Sequence, residues 1–81
     1  MSANGGPGPQ IVFSFPKSRD EEVRASLGTF RGQLRADLRV WVADEKDELY
    51  PTKKGISVPV DDLPKLQAAV DALGLAAKEA R

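Results

Sequence analysis

Three stretches of this 81-residue chain, residues 29–32, 37–41 and 51–57, carry side chains suited to binding an unpaired nucleic-acid strand. Aromatic rings stack on bases while arginine and lysine neutralise phosphates, so a strand-binding surface needs both kinds side by side. The candidate nucleic-acid-binding residues are Phe30, Arg31, Arg35, Arg39, Trp41, Lys53, Lys54 and Gly55.

Each residue type in this set has a distinct expected role. We expect Phe30 and Trp41 to supply the stacking faces. Arginine can donate two parallel hydrogen bonds to a phosphate and can also stack on a base, which favours the arginines as phosphate ligands. Gly55 has no side chain, so the backbone there can approach a phosphate closely, with Lys53 and Lys54 directed at it.

An ordinary structural interpretation of the same residues stays open at this point. Charges at alternate strand positions are commonly solvated, and Asp37 can pair with a neighbouring arginine. A lone phenylalanine or tryptophan more often packs in a core or a subunit interface than against a ligand. The interleaving of Phe30 and Trp41 with arginines favours the nucleic-acid interpretation.

The elements that position these residues are four strands and a helix. Residues 33–43 alternate between aliphatic and polar side chains, the period of a strand with one apolar face. Residues 11–15, ended by Pro16, 23–30 and 49–60 predict three further strands, the last with a bulge or tight bend at 53–55. Asp61 is the predicted helix cap, and Gly74 either ends the helix or lies within a continuation towards Arg81.

These elements predict one small α+β domain, with an antiparallel sheet followed by one C-terminal helix. We expect residues 1–10 to be a disordered arm, 11–75 the domain and 76–81 a helix extension or tail. A domain of this size buries little surface, and the absence of cysteine and histidine removes disulfides and their metal sites as supports. Oligomerisation is the remaining support, so we expect a homodimer.

Several function classes are unfavoured. With neither histidine nor cysteine there is no nucleophile–base pair, and no phosphate-binding glycine-rich loop occurs, so we expect no enzyme, no catalytic residue, no metal and no cofactor. No apolar run is long enough for a membrane span, and the first residues do not resemble a signal peptide. We therefore expect a cytoplasmic protein, which DNA binding would make nucleoid-associated.

The motifs, taken together and in order, resemble the transcriptional positive cofactor four family. They are Phe30-Arg31-Gly32, then Asp37-Leu38-Arg39 with Trp41, then the run from Pro51 to Ser57 that contains Lys-Lys-Gly-Ile-Ser. The resemblance covers about residues 11–75. It implies a curved four-stranded antiparallel sheet, a homodimer that pairs C-terminal helices, and binding of single-stranded or melted DNA in transcription or in protection of unpaired DNA.

Residue by residue, the resemblance assigns stacking to Phe30 and basic contacts to Arg31, Arg39, Lys53 and Lys54. Three positions depart from the family pattern, and one of them is Trp41, which takes the tyrosine-like position. Gln33 replaces a lysine and removes a phosphate contact for which Arg35 can compensate, and Val42 stands where some members carry a further aromatic. Two alternatives remain: a module that docks other transcription proteins, which the zero net charge favours, and an RNA-binding protein.

Overall fold

The computed structural model describes residues 9–81. Four antiparallel strands form one sheet in chain order: β1 (Gln10–Ser18), β2 (Glu21–Phe30), β3 (Gln33–Ala43) and β4 (Leu49–Pro59). A 3-10 turn, Val60–Asp62, leads into helix α1, Leu63–Ala80. The predicted α+β fold of four antiparallel strands and a C-terminal helix is confirmed.

The strand boundaries differ from the prediction mainly in β1. This strand runs through Pro16, because it lies at the sheet edge, where proline need not donate a ladder hydrogen bond. It also begins at Gln10, inside the predicted arm, of which residues 1–8 lie outside the described residues. β2 starts at Glu21, two residues before its predicted start, whereas β3 has its predicted bounds.

A two-residue turn joins β2 to β3. Phe30 pairs with Gln33, which leaves only Arg31 and Gly32 in the connection. Both have positive φ, 54° for Arg31 and 79° for Gly32. Tight hairpins require this conformation because its twist matches that of the strands. Glycine adopts it freely, but Arg31 does so against the steric preference of its Cβ.

The irregularity predicted at 53–55 of β4 is present as a bulge, which lies one residue earlier, at 52–54. Arg39 pairs with Gly55 and Trp41 pairs with Pro51, so three residues of β4 lie opposite the single residue Val40. The Thr52 hydroxyl donates to the Val40 carbonyl at 2.8 Å and accepts the Lys54 N–H at 3.1 Å. These two bonds satisfy backbone groups that the interrupted ladder would leave unpaired.

The sheet has two chemically distinct faces. Since paired residues share a face, the register of β2, β3 and β4 assigns each side chain to one of them. The aliphatic face carries Val23, Ala25, Leu27, Leu34, Ala36, Leu38, Val40, Ile56 and Val58. The polar face carries Glu22, Arg24, Ser26, Phe30, Gln33, Arg35, Asp37, Arg39, Trp41 and Ser57.

Helix α1 begins at Leu63, one residue later than a cap at Asp61 would predict. Asp62, not Asp61, is the N-cap, and its side chain makes no capping hydrogen bond, because the 3-10 turn before it already winds the chain. Pro64 lies in the first turn, where no helical N–H partner is lost. The helix passes through Gly74 and reaches Ala80. In residues 9–81, no helix combines the length and apolar character that a membrane span needs.

The first half of α1 lies over the aliphatic face. Leu63, Leu66 and Val70 enclose a cavity of about 380 Å³ with sheet residues that include Leu38 and Ile56. The space is not filled, and within the described residues no apolar side chain is buried. The fold therefore presents an incompletely covered apolar layer on one side of the sheet and a charged surface on the other.

Candidate nucleic-acid interface

A groove of about 710 Å³ runs along the polar face at the β2–β3 turn. It brings together four of the predicted residues, Phe30, Arg31, Arg35 and Arg39. The other residues that line it are Gln33, Asp37 and Ser57. Three arginines against one aspartate make the groove cationic, and Phe30 adds an exposed ring at its end. This combination suits a strand with stacked bases and a charged backbone.

The tight turn sets the geometry at the Phe30 end. The Arg31 guanidinium carbon lies 5.3 Å from the centre of the Phe30 ring. The ring itself is 63% exposed, so one aromatic surface and one cation face solvent together. Because φ of Arg31 is unfavourable for a residue with a side chain, its position here is held by the hairpin.

Across residues 9–81, the Arg35 side chain donates hydrogen bonds to neutral groups only. Its Nη1 donates to the Gln33 side-chain oxygen at 2.7 Å. Its Nε donates to the Ser57 hydroxyl at 3.1 Å, and its Nη2 donates to the Ser57 carbonyl at 3.1 Å. These bonds orient the guanidinium without cancelling its charge. The Arg35 guanidinium is thus held in place in the groove and keeps its full positive charge. A side chain that binds phosphate needs both properties.

Arg39 is held by a carboxylate. Its Nε and Nη2 donate to the two oxygens of Asp37 at 3.0 and 2.7 Å, and its Nη1 donates to the Thr52 carbonyl at 3.0 Å. The hydrogen bonds to Asp37 raise the pKa of Arg39 above its ordinary value, against a smaller opposing effect of burial. Arg39 can still offer two N–H groups to a ligand, but part of its charge is already compensated.

Trp41 lies away from the groove. Phe30 is level with Gln33, and the step along β3 from Gln33 to Trp41 spans about 26 Å at ~3.3 Å per residue. The two predicted stacking residues therefore stand at opposite ends of the polar face. Trp41 is half-buried, and the Arg24 guanidinium carbon lies 4.6 Å from its ring centre.

Lys53 and Lys54 lie on the β4 bulge, and Gly55, the next residue, pairs with Arg39 of the groove. Both lysines are exposed, and neither lines the groove. The Lys54 ammonium is close enough to Glu21 to contribute to the lowered pKa of that carboxylate, which depends mainly on a hydrogen bond from Ser18. The close packing of β3 against β4 explains why position 55 is a glycine. A Cβ there would lie 2.4 Å from the Leu38 carbonyl oxygen.

Six residues of the polar face were not in the candidate set: Glu22, Arg24, Ser26, Gln33, Asp37 and Ser57. Strict alternation along β3 places Gln33 and Asp37 on the same side as Arg35 and Arg39, so this signal was available in the sequence. Ser57 required the pairing of β3 with β4, and Arg24 required that of β2 with β3. Neither register could be obtained from one strand alone.

Comparisons with known proteins agree with this architecture. The sequence model of the family described as Transcriptional Coactivator p15 (PC4) matches residues 17–69, more than half of the chain. No curated protein sequence matches significantly.

Solved structures give further matches. A crystal structure of a PC4 homologue from Burkholderia pseudomallei has 28% identity and a TM-score of 0.73, covering 88% of this chain and 92% of that one. A second crystal form of that protein gives 27% identity, a TM-score of 0.73, and coverage of 86% and 98%. A bacteriophage T5 homologue of the coactivator PC4, implicated in recombination-dependent DNA replication, has 28% identity, a TM-score of 0.57, and coverage of 89% and 78%.

Proposed function

Because the chain belongs to the Transcriptional Coactivator p15 (PC4) family, we propose that it is a homodimeric single-stranded DNA-binding protein. Its role is in transcription or in the protection of unpaired DNA, as a cytoplasmic, nucleoid-associated protein. Family membership supports a DNA-binding role related to transcription, and the family is non-enzymatic. The single observation that carries the finer proposal is the cationic groove with an exposed phenylalanine at its end.

In this proposal the strand lies along the groove from the β2–β3 turn towards β4. A base stacks on Phe30, and Arg31, Arg35 and Arg39 contact phosphates. Lys53 and Lys54 add long-range attraction from the neighbouring bulge. Stacking and phosphate contacts do not read base identity, so binding is largely independent of sequence. The chain as a whole has zero net charge, but its groove is cationic because Asp37 is the one acidic residue among those that line it.

The second half of the proposal is a dimer that covers the aliphatic layer. On α1, Leu63, Val70 and Leu73 are 39, 52 and 69% exposed. On the sheet, Phe13, Phe15, Leu34, Val42 and Ile56 are also exposed. A domain this small with no buried apolar side chain in its described part needs a further apolar surface to be stable. A second copy of the chain, with its own unfilled layer and helix, supplies that surface.

Binding is tested by titrating an end-labelled thymine oligonucleotide of about 20 bases and following anisotropy at several salt concentrations. With three arginines in contact with phosphates, log affinity should fall with log salt at a slope of about −2 per subunit, at ~0.7 per phosphate. Arg35→Gln should weaken binding, whereas Arg81→Gln, the same change at the end of α1, should not. Salt-independent binding, or equal loss in both variants, would contradict the groove.

The same titration separates the alternatives. An RNA oligonucleotide of matching sequence that binds more tightly than DNA would favour the RNA-binding interpretation. If the DNA strand displaces a protein partner, the two bind the same groove. If no DNA binding is seen at low salt, the protein-docking module is favoured.

Dimerisation is tested by sedimentation velocity. Leu73→Glu places a charge on the exposed apolar stripe of α1 and should convert a dimer into a monomer with a lower thermal midpoint. Ala68→Glu, on the opposite side of the helix, is the matched control and should leave the dimer intact. A wild-type monomer at tens of micromolar concentration would overturn this half of the proposal.

A further inference from the structure

Arg24 is a cation of the polar face that neither the sequence motifs nor the groove includes. It lies on β2 directly opposite Arg39 on β3, so two arginines stand side by side across the sheet. Like charges at paired positions repel each other, and each needs a compensating group. Asp37 compensates Arg39, and Glu22 compensates Arg24, in each case from two residues earlier on the same strand and face.

The two ion pairs are not equally complete. Arg39 uses three N–H groups within the chain, two on Asp37 and one on Thr52. Within residues 9–81, the only hydrogen bond that the Arg24 guanidinium donates runs from Nε to a Glu22 oxygen at 2.6 Å. Its four terminal N–H groups therefore have no acceptor in the described chain. An arginine with this many open donors beside a second arginine is suited to a phosphate.

We propose that Arg24 binds a phosphate of the DNA strand and that Glu22 competes with the strand for it. This inference rests on the proposed function and extends the binding surface from the groove towards Trp41. The side chains of Glu22 and Arg24 are 31 and 21% exposed, and partly exposed ion pairs are weak, so a phosphate can replace the carboxylate. When Arg24 moves to a phosphate, the face of Trp41 that it covers becomes available to a base.

The competition predicts a specific coupling between the two residues. Arg24→Gln should weaken binding of the thymine oligonucleotide and reduce the magnitude of its salt slope by about 0.7, the value for one phosphate contact. Glu22→Gln should strengthen binding about threefold to fivefold by removing the competing ion pair. In the Arg24→Gln background, the same Glu22→Gln change should have little effect, because no arginine remains to be released.

The experiment is this double-mutant cycle, measured by anisotropy, with Trp41 emission recorded for each free and bound protein. Arg19→Gln on the β1–β2 turn and Glu45→Gln on the β3–β4 loop control for the change in net charge. Far-ultraviolet circular dichroism establishes that each variant is folded. The expected result is coupling between Glu22 and Arg24 in the affinity for DNA, with a change in Trp41 emission when the wild type binds.

Each other result overturns the inference in an identifiable way. If Arg24→Gln keeps the wild-type affinity and salt slope, Arg24 does not bind a phosphate. If Glu22→Gln strengthens binding equally in both backgrounds, Glu22 acts as a general repulsive charge and not through Arg24. If Arg35→Gln weakens binding while substitutions of Glu22 and Arg24 have no effect, the proposed function is supported and the role of Arg24 is contradicted. If the wild type does not bind DNA, both fail.

Discussion

Arg39 on β3 is joined to Thr52 on β4 by a hydrogen bond of 3.0 Å from Nη1 to the backbone carbonyl. The same guanidinium donates two hydrogen bonds to Asp37, so carboxylate, arginine and bulge form one connected unit. Arg39 therefore has two functions in one side chain. It lines the groove as a cation, and it holds the bulge that carries Lys53 and Lys54.

Arg39→Lys separates these two functions, because lysine keeps the charge but cannot form the planar fork. We expect DNA affinity to fall about tenfold, which corresponds to roughly one hydrogen bond to a charged group, and the thermal midpoint to fall as well. Anisotropy and thermal unfolding measure the two effects. Arg81→Lys is the control, and an Arg39→Lys variant with wild-type affinity and midpoint would show that charge alone matters.

Gly55→Ala should destabilise the sheet. The added Cβ would lie 2.4 Å from the Leu38 carbonyl oxygen and 2.8 Å from the Arg39 Cα, so the backbones of β3 and β4 must separate. We expect a loss of about 1–3 kcal/mol, typical of overpacking, measured by denaturant unfolding. Gly74→Ala is the matched control. Its Cβ would meet nothing within 4 Å in the described structure, and alanine favours the helix, so stability should not fall.

Arg31→Asn should make the protein more stable but a weaker DNA binder. Arg31 has φ of 54°, which costs an ordinary residue about 1–2 kcal/mol and which asparagine tolerates well. The substitution also removes the cation beside Phe30. A higher thermal midpoint together with lower affinity is the expected result. Gly32→Ala should do the opposite to stability because its φ is 79°, and a lower midpoint for Arg31→Asn would contradict the strain argument.

Acid should weaken the β3–β4 loop through Asp44. The pKa of Asp44 lies below its ordinary value of 3.8, chiefly because the carboxylate accepts the Glu48 N–H, with a further contribution from the Lys46 N–H. A lowered folded-state pKa means that this stabilisation is complete above about pH 3.8. It is lost as pH falls through the lower folded value.

Thermal midpoints measured from pH 7 down to pH 2 test this assignment. Asp44→Asn should be less stable than the wild type near neutral pH, and the difference should shrink in acid as the wild-type carboxylate takes up its proton. Glu45→Gln, in the same loop, controls for the loss of one negative charge. A difference between wild type and Asp44→Asn that stays constant down to pH 2 would argue against a role for the ionised carboxylate.

The strands themselves could be predicted because their determinants are local. The alternation from Leu34 to Val42 defines β3 and its two faces, and Gly55 with the preceding lysines marks the bulge. The candidate site could be predicted only in part. Phe30 and the arginines on β3 meet in one groove because they share a face near one turn.

The remaining features depend on pairing between strands. Trp41 shares the polar face with Phe30 but lies far along it, and only the hairpin register sets that separation. The bulge adds two residues to β4, which changes the positions of Lys53 and Lys54 relative to Arg39. The role of Arg24 was not visible because its partner Arg39 lies across the sheet, and because Gly28 and Thr29 obscure the alternation of β2.

The order β1-β2-β3-β4 also has a kinetic consequence. Every strand pairs with its sequence neighbour, so each hairpin can close with a short loop and a small entropic cost. Sheet formation should therefore be fast and independent of protein concentration. If two chains then associate to cover the aliphatic layer, the second step is bimolecular. Refolding would show a rapid first phase and a slower phase that accelerates with concentration, and the thermal midpoint would rise as the protein is concentrated.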